Sequence, residues 1–141
     1  MVKALAIAGL VLLPGAAAAD PTLECGLDGA TQVATGDCLA GVEAVVGRTV
    51  AEALGFAMEA AKALDGETGR PAAAPALEAG QATWSAYRDA HCAYVGATWG
   101  GGSGEGGAIR ACRIELGRAR VGGADGVCGV GGLVCRWRDP I

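Results

Sequence analysis

The stretch Gln81-Ala-Thr-Trp84-Ser-Ala-Tyr87-Arg88-Asp89-Ala-His91-Cys92 decides how the rest of the chain can fold. It holds one of the three tryptophans, one of the two tyrosines, the only histidine and a cysteine, in a chain rich in small and aliphatic residues. Apolar residues recur every three or four positions through 77–95, and they include Tyr87 and His91. This spacing predicts an amphipathic helix over about 76–95, with Gln81 on its apolar side.

Two further helices are predicted, one on each side of this stretch. Asp37 is a good N-cap residue, and apolar residues then recur with helical spacing over 39–64. A shorter helix is predicted over about 106–120 by the same spacing. No segment alternates convincingly between apolar and polar residues, although 127–134 allows a weak hairpin. The predicted class is therefore mostly α: a small three-helix bundle.

Glycine and proline divide the remaining sequence. Residues 20–36 predict a turn-rich lead-in, and residues 100–107 predict a glycine-rich loop without the Gly-Lys-Ser/Thr ending of a phosphate-binding loop. Within the first long helix, Gly47 and Gly55 either cost about 1 kcal/mol each against alanine or allow a neighbouring helix to approach closely. The sequence leaves both readings open.

The N-terminus has the three-part pattern of a secretory signal peptide. Lys3 supplies a positive charge, residues 4–13 are apolar with one glycine, and Ala17-Ala18-Ala19 offers a cleavage site. The apolar run is about half the ~20 residues that a membrane span requires. We therefore expect a signal peptide at 1–19, a helical domain at 20–121 and a tail at 122–141, in a periplasmic or secreted protein that has no membrane anchor after cleavage.

Six cysteines lie in the part of the chain that would be exported. They are Cys25, Cys38, Cys92, Cys112, Cys128 and Cys135. An even number in an oxidising compartment indicates disulfides, with 15 possible connectivities. The chain has no C-x-x-C motif, and His91 adjoins Cys92 instead of standing at ligand spacing. We therefore expect no metal site and no cofactor.

Charge is distributed unevenly along the chain. Residues 20–67 carry nine acidic and two basic side chains, whereas residues 68–141 carry six acidic and eight basic ones. An acidic first half argues against nucleic-acid binding, which needs a basic footprint. It suits either a cationic protein partner or simply a well-solvated acidic surface.

The residues that could carry catalysis are poorly arranged for it. His91 is a possible general base, but Ser85 and Ser103 are the only serines in the chain. Ser85 lies on a different side of the predicted helix from His91, and Ser103 lies in the glycine loop. The acidic residues mostly fall on outward helical positions. We therefore do not expect an enzyme.

The spacing of these motifs resembles that of the N-terminal domain of LprI-type lysozyme inhibitors, a family of small secreted bacterial proteins. The matching residues are Cys25, Thr31, Gln32, Cys38, Leu77, Gln81, Trp84, Tyr87, Arg88, Asp89, Cys92, Gly101, Gly102, Ser103, Cys112, Leu116 and Arg120. The pattern departs at Thr35-Gly36, at the small or aliphatic residues near 50–54 and at Gly117. The Cys128 and Cys135 pair is additional to the pattern.

The resemblance implies a secreted protein that binds and inhibits lysozyme; the alternative is a periplasmic structural or adaptor module with another envelope partner. We expect three disulfides, which pair Cys25 with Cys38, Cys92 with Cys112 and Cys128 with Cys135. The motif residues, which are either structural or ligand-facing, are Gln81, Trp84, Tyr87, Arg88, Asp89, Ser103 and Arg120. We expect Gln81, Trp84 and Arg88 to hold the loop around Ser103. We expect the partner surface to lie on the acidic first long helix.

Overall fold

The computed structural model describes residues 20–28 and 31–122, and these form four α-helices. The helices are α1 (Pro21–Asp28), α2 (Gln32–Thr68), α3 (Ala73–Ala97) and α4 (Glu105–Gly122). The three long helices α2, α3 and α4 pack against one another, which confirms the predicted mostly-α bundle. The predictions for the signal peptide, for Cys128 and Cys135 and for the tail beyond 122 lie outside the described residues.

The lead-in is a helix, so the prediction of a turn-rich segment was wrong. Asp20 accepts a hydrogen bond from the Thr22 backbone N–H at 2.8 Å, and Pro21 occupies the first helical position, where its missing N–H costs nothing. The disulfide from Cys25 to Cys38 then fixes α1 against α2. These local contacts offset the low helical propensity of Gly26.

The first long helix begins earlier than Asp37 predicted. Thr31 is the N-cap, because its extended backbone ends there and its hydroxyl accepts a hydrogen bond from the Ala34 N–H at 3.1 Å. Asp37 therefore lies within α2, on an exposed position. With 37 residues, α2 is about 55 Å long, roughly twice the length of the 18-residue α4.

The core is small and lies where α1, α2 and α4 meet. Leu39 and Ile114 are 1% and 0% exposed and cluster with Cys25, while Val42 and Val46 pack against the cluster. Gly117 belongs to the same contact, since a Cβ there would overlap the Val46 side chain. Gly117 therefore allows α4 to approach α2 closely.

Two further glycines, both in α2, have a different role. A Cβ added at Gly47 or Gly55 would meet no atom within 4 Å apart from the helix itself. The close-approach reading is therefore wrong for both, and each only lowers the helical propensity of α2.

Three long helices pack together at one end of the bundle, and only two of them continue to the other end. The last turns of α4 reach Gln81 of α3 through Arg120 and reach Val50 of α2 through Gly117. Beyond this level, among the described residues, only α2 and α3 continue. We call residues 51–80 the arm, and we call residues 20–28, 31–50 and 81–122 the body.

Candidate functional site

The half-buried ring of Trp84 joins α3 to the end of α4. The guanidinium carbon of Arg88 lies 5.2 Å from the ring centroid, and that of Arg120 lies 5.4 Å from it. Arg120 also donates a hydrogen bond from Nη2 to Oε1 of Gln81 at 3.2 Å. The structure thus brings Gln81, Trp84, Arg88 and Arg120 into one cluster, with two cation–π contacts to a single ring.

This cluster does not hold the loop around Ser103. Gln81 bonds to Arg120 and, at 3.5 Å, to Ser85, while both side-chain bonds of Arg88 go to Asp89. The helix α3 runs on to Ala97, so more than two turns separate Arg88 from the loop that contains Ser103. The expectation was wrong because residues on one helical face can still lie far apart along the axis.

A network of ion pairs connects the three long helices next to the tryptophan cluster. Arg110 and Arg113 of α4 both donate to Glu43 of α2, at 3.0 and 3.4 Å. Arg88 donates to Asp89 at 2.9 Å within α3. The Nε atom of Arg113 is buried without a hydrogen-bond partner and lies 3.8 Å from Asp89 Oδ1, which is an electrostatic contact but too long for a hydrogen bond.

An open cleft of about 510 Å³ runs along this network between α2, α3 and α4. Glu43, Asp89, Arg88, Arg110 and Arg113 bring carboxylates and guanidinium groups to its wall. Within the described part of the chain, no three side chains of His, Cys, Asp or Glu are grouped as a metal site would require. The cleft offers charge of both signs for recognition, and its wall includes no serine or histidine.

Tyr87 and His91 form a separate ring contact on the stretch of α3 that follows Trp84. Their rings stack with centroids 5.4 Å apart, and Tyr87 is exposed. The prediction that Tyr87 belongs to the apolar face of this helix was therefore wrong. The stack also places the imidazole against an aromatic ring and not against either serine.

A second groove, of about 680 Å³, lies at the opposite end of the body from the arm. Thr31 and Gln32 at the start of α2 line it together with Ser103 and Trp99 from the α3–α4 connection. Trp99 is 56% exposed, and its ring lies against Gly104, where a Cβ would leave too little room. The structure thus brings together two motif segments that are some 70 residues apart in sequence.

The family model described as lysozyme inhibitor LprI matches residues 26–122. The chain belongs to the LprI lysozyme inhibitor family. The match includes all of α2, α3 and α4 and both cysteines of the Cys92–Cys112 disulfide. No curated protein and no solved structure matches the chain significantly.

Two disulfides stabilise the body of this LprI-family domain. The structure contains both expected pairings among its described cysteines, Cys25 with Cys38 and Cys92 with Cys112. The second joins α3 to α4 across the glycine-rich connection and closes a separation of 20 residues. It therefore fixes the register that brings Arg120 to Trp84 at the other end of α4.

Contacts with α4 engage two acidic residues near the N-terminus of this LprI-family chain, Glu24 and Glu43. Arg118 donates two hydrogen bonds to Glu24, at 2.9 and 2.8 Å. The hydrogen bonds from Arg118 lower the pKa of Glu24, and the same contact raises the pKa of Arg118. Glu43 is likewise held by two arginines. The sequence signalled the charge imbalance, but not that arginines of α4 meet these acids.

Proposed function

We propose that this protein is an exported binding protein that inhibits lysozyme. One observation carries the proposal: the LprI lysozyme inhibitor model matches residues 26–122, which include nearly all of the described helical structure. Inhibition by binding needs a rigid surface and no catalytic group. A bundle with two cystines supplies such a surface.

The proposed location is periplasmic or secreted. Disulfides persist in oxidising compartments, and the structure has two within its small body. The N-terminal sequence supports export, since its charged start, apolar run and alanine-rich end match a cleavable leader over 1–19. None of the described helices has the length and hydropathy that crossing a membrane would require. The functional unit would then be the domain at 20–121.

A protein partner fits the surface better than a small ligand does. Large side chains such as Phe56, Tyr94 and Trp99 are more than half exposed. Aromatic side chains are enriched in protein–protein interfaces. The same observation supports the second candidate function, a periplasmic adaptor module that binds another envelope protein.

A turbidity assay tests the proposed function. Purified, oxidised protein is added to lysozyme acting on a cell-wall suspension, and the rate of clearing is recorded up to tens of micromolar protein. We expect clearing to slow in proportion to occupied lysozyme. Reduced and alkylated protein is the control, because the body should lose its structure without its cystines.

A second measurement separates the two candidates. The protein is immobilised and exposed to envelope extract from its own cells and, separately, to lysozyme. Recovery of lysozyme together with slowed clearing supports inhibition. Unchanged clearing, together with a partner recovered by native but not by reduced protein, would instead support the adaptor function.

A further inference from the structure

The arm carries the only phenylalanine of the chain on its outer surface. Phe56 lies on α2 and is 64% exposed. Neighbouring Leu54 and Met58 point towards α3 and line the seam of the arm, so Phe56 is not needed to join the two helices. An aromatic side chain that helps neither core nor seam leaves a large apolar area in water.

Two carboxylates flank this ring on the same helical face. Glu52 precedes Phe56 by four residues and Glu59 follows it by three, and these spacings place side chains next to each other on a helix. Both glutamates are exposed. Arg48 lies four residues before Glu52 and Lys62 lies three residues after Glu59, yet among the described residues neither basic side chain forms an ion pair within 4.0 Å with these glutamates.

Other acidic residues in the first half of the sequence differ from Glu52 and Glu59, because they are bonded within the domain. Glu24 and Glu43 are held by arginines of α4, and Asp65 accepts three backbone N–H groups at the tip of the arm. Each of these three carboxylates is bonded within the domain. The charge of Glu52 and Glu59 faces solvent, so these two can interact with an external cation at little internal cost.

We propose that Glu52, Phe56 and Glu59 form the contact surface for a cationic protein, and we call this set the acidic aromatic face. The partner chemistry follows from the set: an apolar recess for the phenyl ring, bordered by lysine or arginine side chains. Aromatic anchors surrounded by polar groups commonly dominate binding energy, and complementary charge accelerates association. Naming lysozyme as this partner rests on the proposed function.

The geometry of the arm suits this role. The face lies on a continuous helix, so its three side chains are presented without the entropic cost of ordering a loop. The other exposed aromatics lack such a setting. Tyr94 is 68% exposed, but the positions four before and three after it are Ala90 and Ala97.

A matched pair of variants tests the assignment. Phe56→Ala and Tyr94→Ala each remove one exposed aromatic ring from a helix of the full-length, oxidised protein. We expect Phe56→Ala to weaken lysozyme binding by roughly tenfold or more, as hot-spot truncation does. Tyr94→Ala should stay within about twofold of the wild type. Calorimetry gives the dissociation constants, and circular dichroism verifies that each variant is folded.

Charge reversal tests the carboxylates separately. Glu52→Lys/Glu59→Lys should lower the association rate by about tenfold or more and make it less sensitive to salt. Glu78→Lys/Glu115→Lys changes net charge equally at exposed sites outside the acidic aromatic face, and should have a smaller effect. If the wild type binds lysozyme and both test variants match their controls, the assignment of the face is overturned alone. If the wild type does not bind lysozyme, the proposed function fails, and this assignment fails with it.

Discussion

The body and the arm share the long helices α2 and α3, yet different interactions hold each of them together. In the body, α1 and α4 cover α2, Leu39 and Ile114 are almost completely buried, and both described disulfides are present. In the arm, α2 and α3 meet along a seam whose Leu54 and Met58 remain partly exposed. A third layer of helix is therefore what converts an apolar stripe into a core.

The difference explains how a domain with few large apolar residues can be stable and still present a binding surface. Covalent links and ion pairs concentrate in the body, where α4 contributes its arginines. The arm is exposed on two sides, and none of the other described helices packs on its outer face. That freedom places Phe56 in solvent, and it makes the arm the more easily perturbed half.

Two leucines on α2 give the largest expected contrast. Leu39→Ala empties a site that is 1% exposed, so we expect a loss of about 2–5 kcal/mol in the free energy of unfolding. Leu54→Ala removes the same atoms from the partly exposed seam of the arm, where water already reaches the side chain. Its cost should fall below that range. Urea titration followed by circular dichroism measures both. Equal costs would mean that the arm is packed as tightly as the body.

Removing the cystine that joins α3 to α4 should have the next largest effect. Cys92→Ser/Cys112→Ser frees a loop with a sequence separation of 20, which corresponds to roughly 3 kcal/mol in chain entropy. The body should loosen at the contacts of Trp84 with Arg120, because the register of α4 is no longer fixed. Thermal unfolding monitored by tryptophan fluorescence reports both changes. A melting temperature unchanged from that of the wild type would contradict this account.

Two glycines should respond to alanine in opposite directions. Gly117→Ala introduces a methyl group where Val46 already lies, so we expect a loss of about 1–3 kcal/mol from overpacking. Gly55→Ala, in the arm, meets open space and should raise stability by up to about 1 kcal/mol through helical propensity. The same urea titrations decide the signs. A stabilising Gly117→Ala would show that α4 can move away from α2 without cost.

Periodicity predicted the long helices well because each has a sustained apolar stripe. The segment at 39–64 lies inside α2, and that at 76–95 lies inside α3. It failed at residues 20–36, where glycine content outweighed two local signals, the capping oxygen of Asp20 and the hydroxyl of Thr31. Both capping residues can be identified from the sequence, but no apolar repeat marks residues 20–36 as helical.

The candidate site was less predictable, because its contacts join residues distant in sequence. Gln81, Trp84 and Arg88 could be placed on one face from spacing alone. That Arg120 completes the cluster, and that Arg118 meets Glu24 across 94 residues, depends on how α4 packs. Spacing describes one helix, whereas the pairing of charges between helices is set by tertiary register.

The tip of the arm offers the smallest and most local test. Asp65 accepts hydrogen bonds from the N–H groups of Ala74, Ala73 and Ala72, at 3.0, 2.8 and 3.1 Å, and so caps the start of α3 from the end of α2. The N–H groups, that of Ala74 most strongly, lower the pKa of Asp65 below its ordinary value. Gly69 allows the turn by adopting a positive φ of 64°.

A carboxylate with a lowered pKa stabilises the folded tip at any pH above its unfolded value, and this contribution is lost as the pH falls through the folded value. For Asp65 the window lies below about pH 4, the ordinary range of an aspartate. Asp65→Asn keeps the shape of the side chain but removes its charge. It should therefore lower the protection of residues 72–74 against hydrogen exchange at neutral pH, relative to the intrinsic rate of an unfolded chain. It should also abolish the loss of that protection in acid. Exchange in the body around Ile114 should not change. If exchange at the tip were the same in both proteins, the connection between α2 and α3 would not depend on this carboxylate, and the seam alone would hold the arm together.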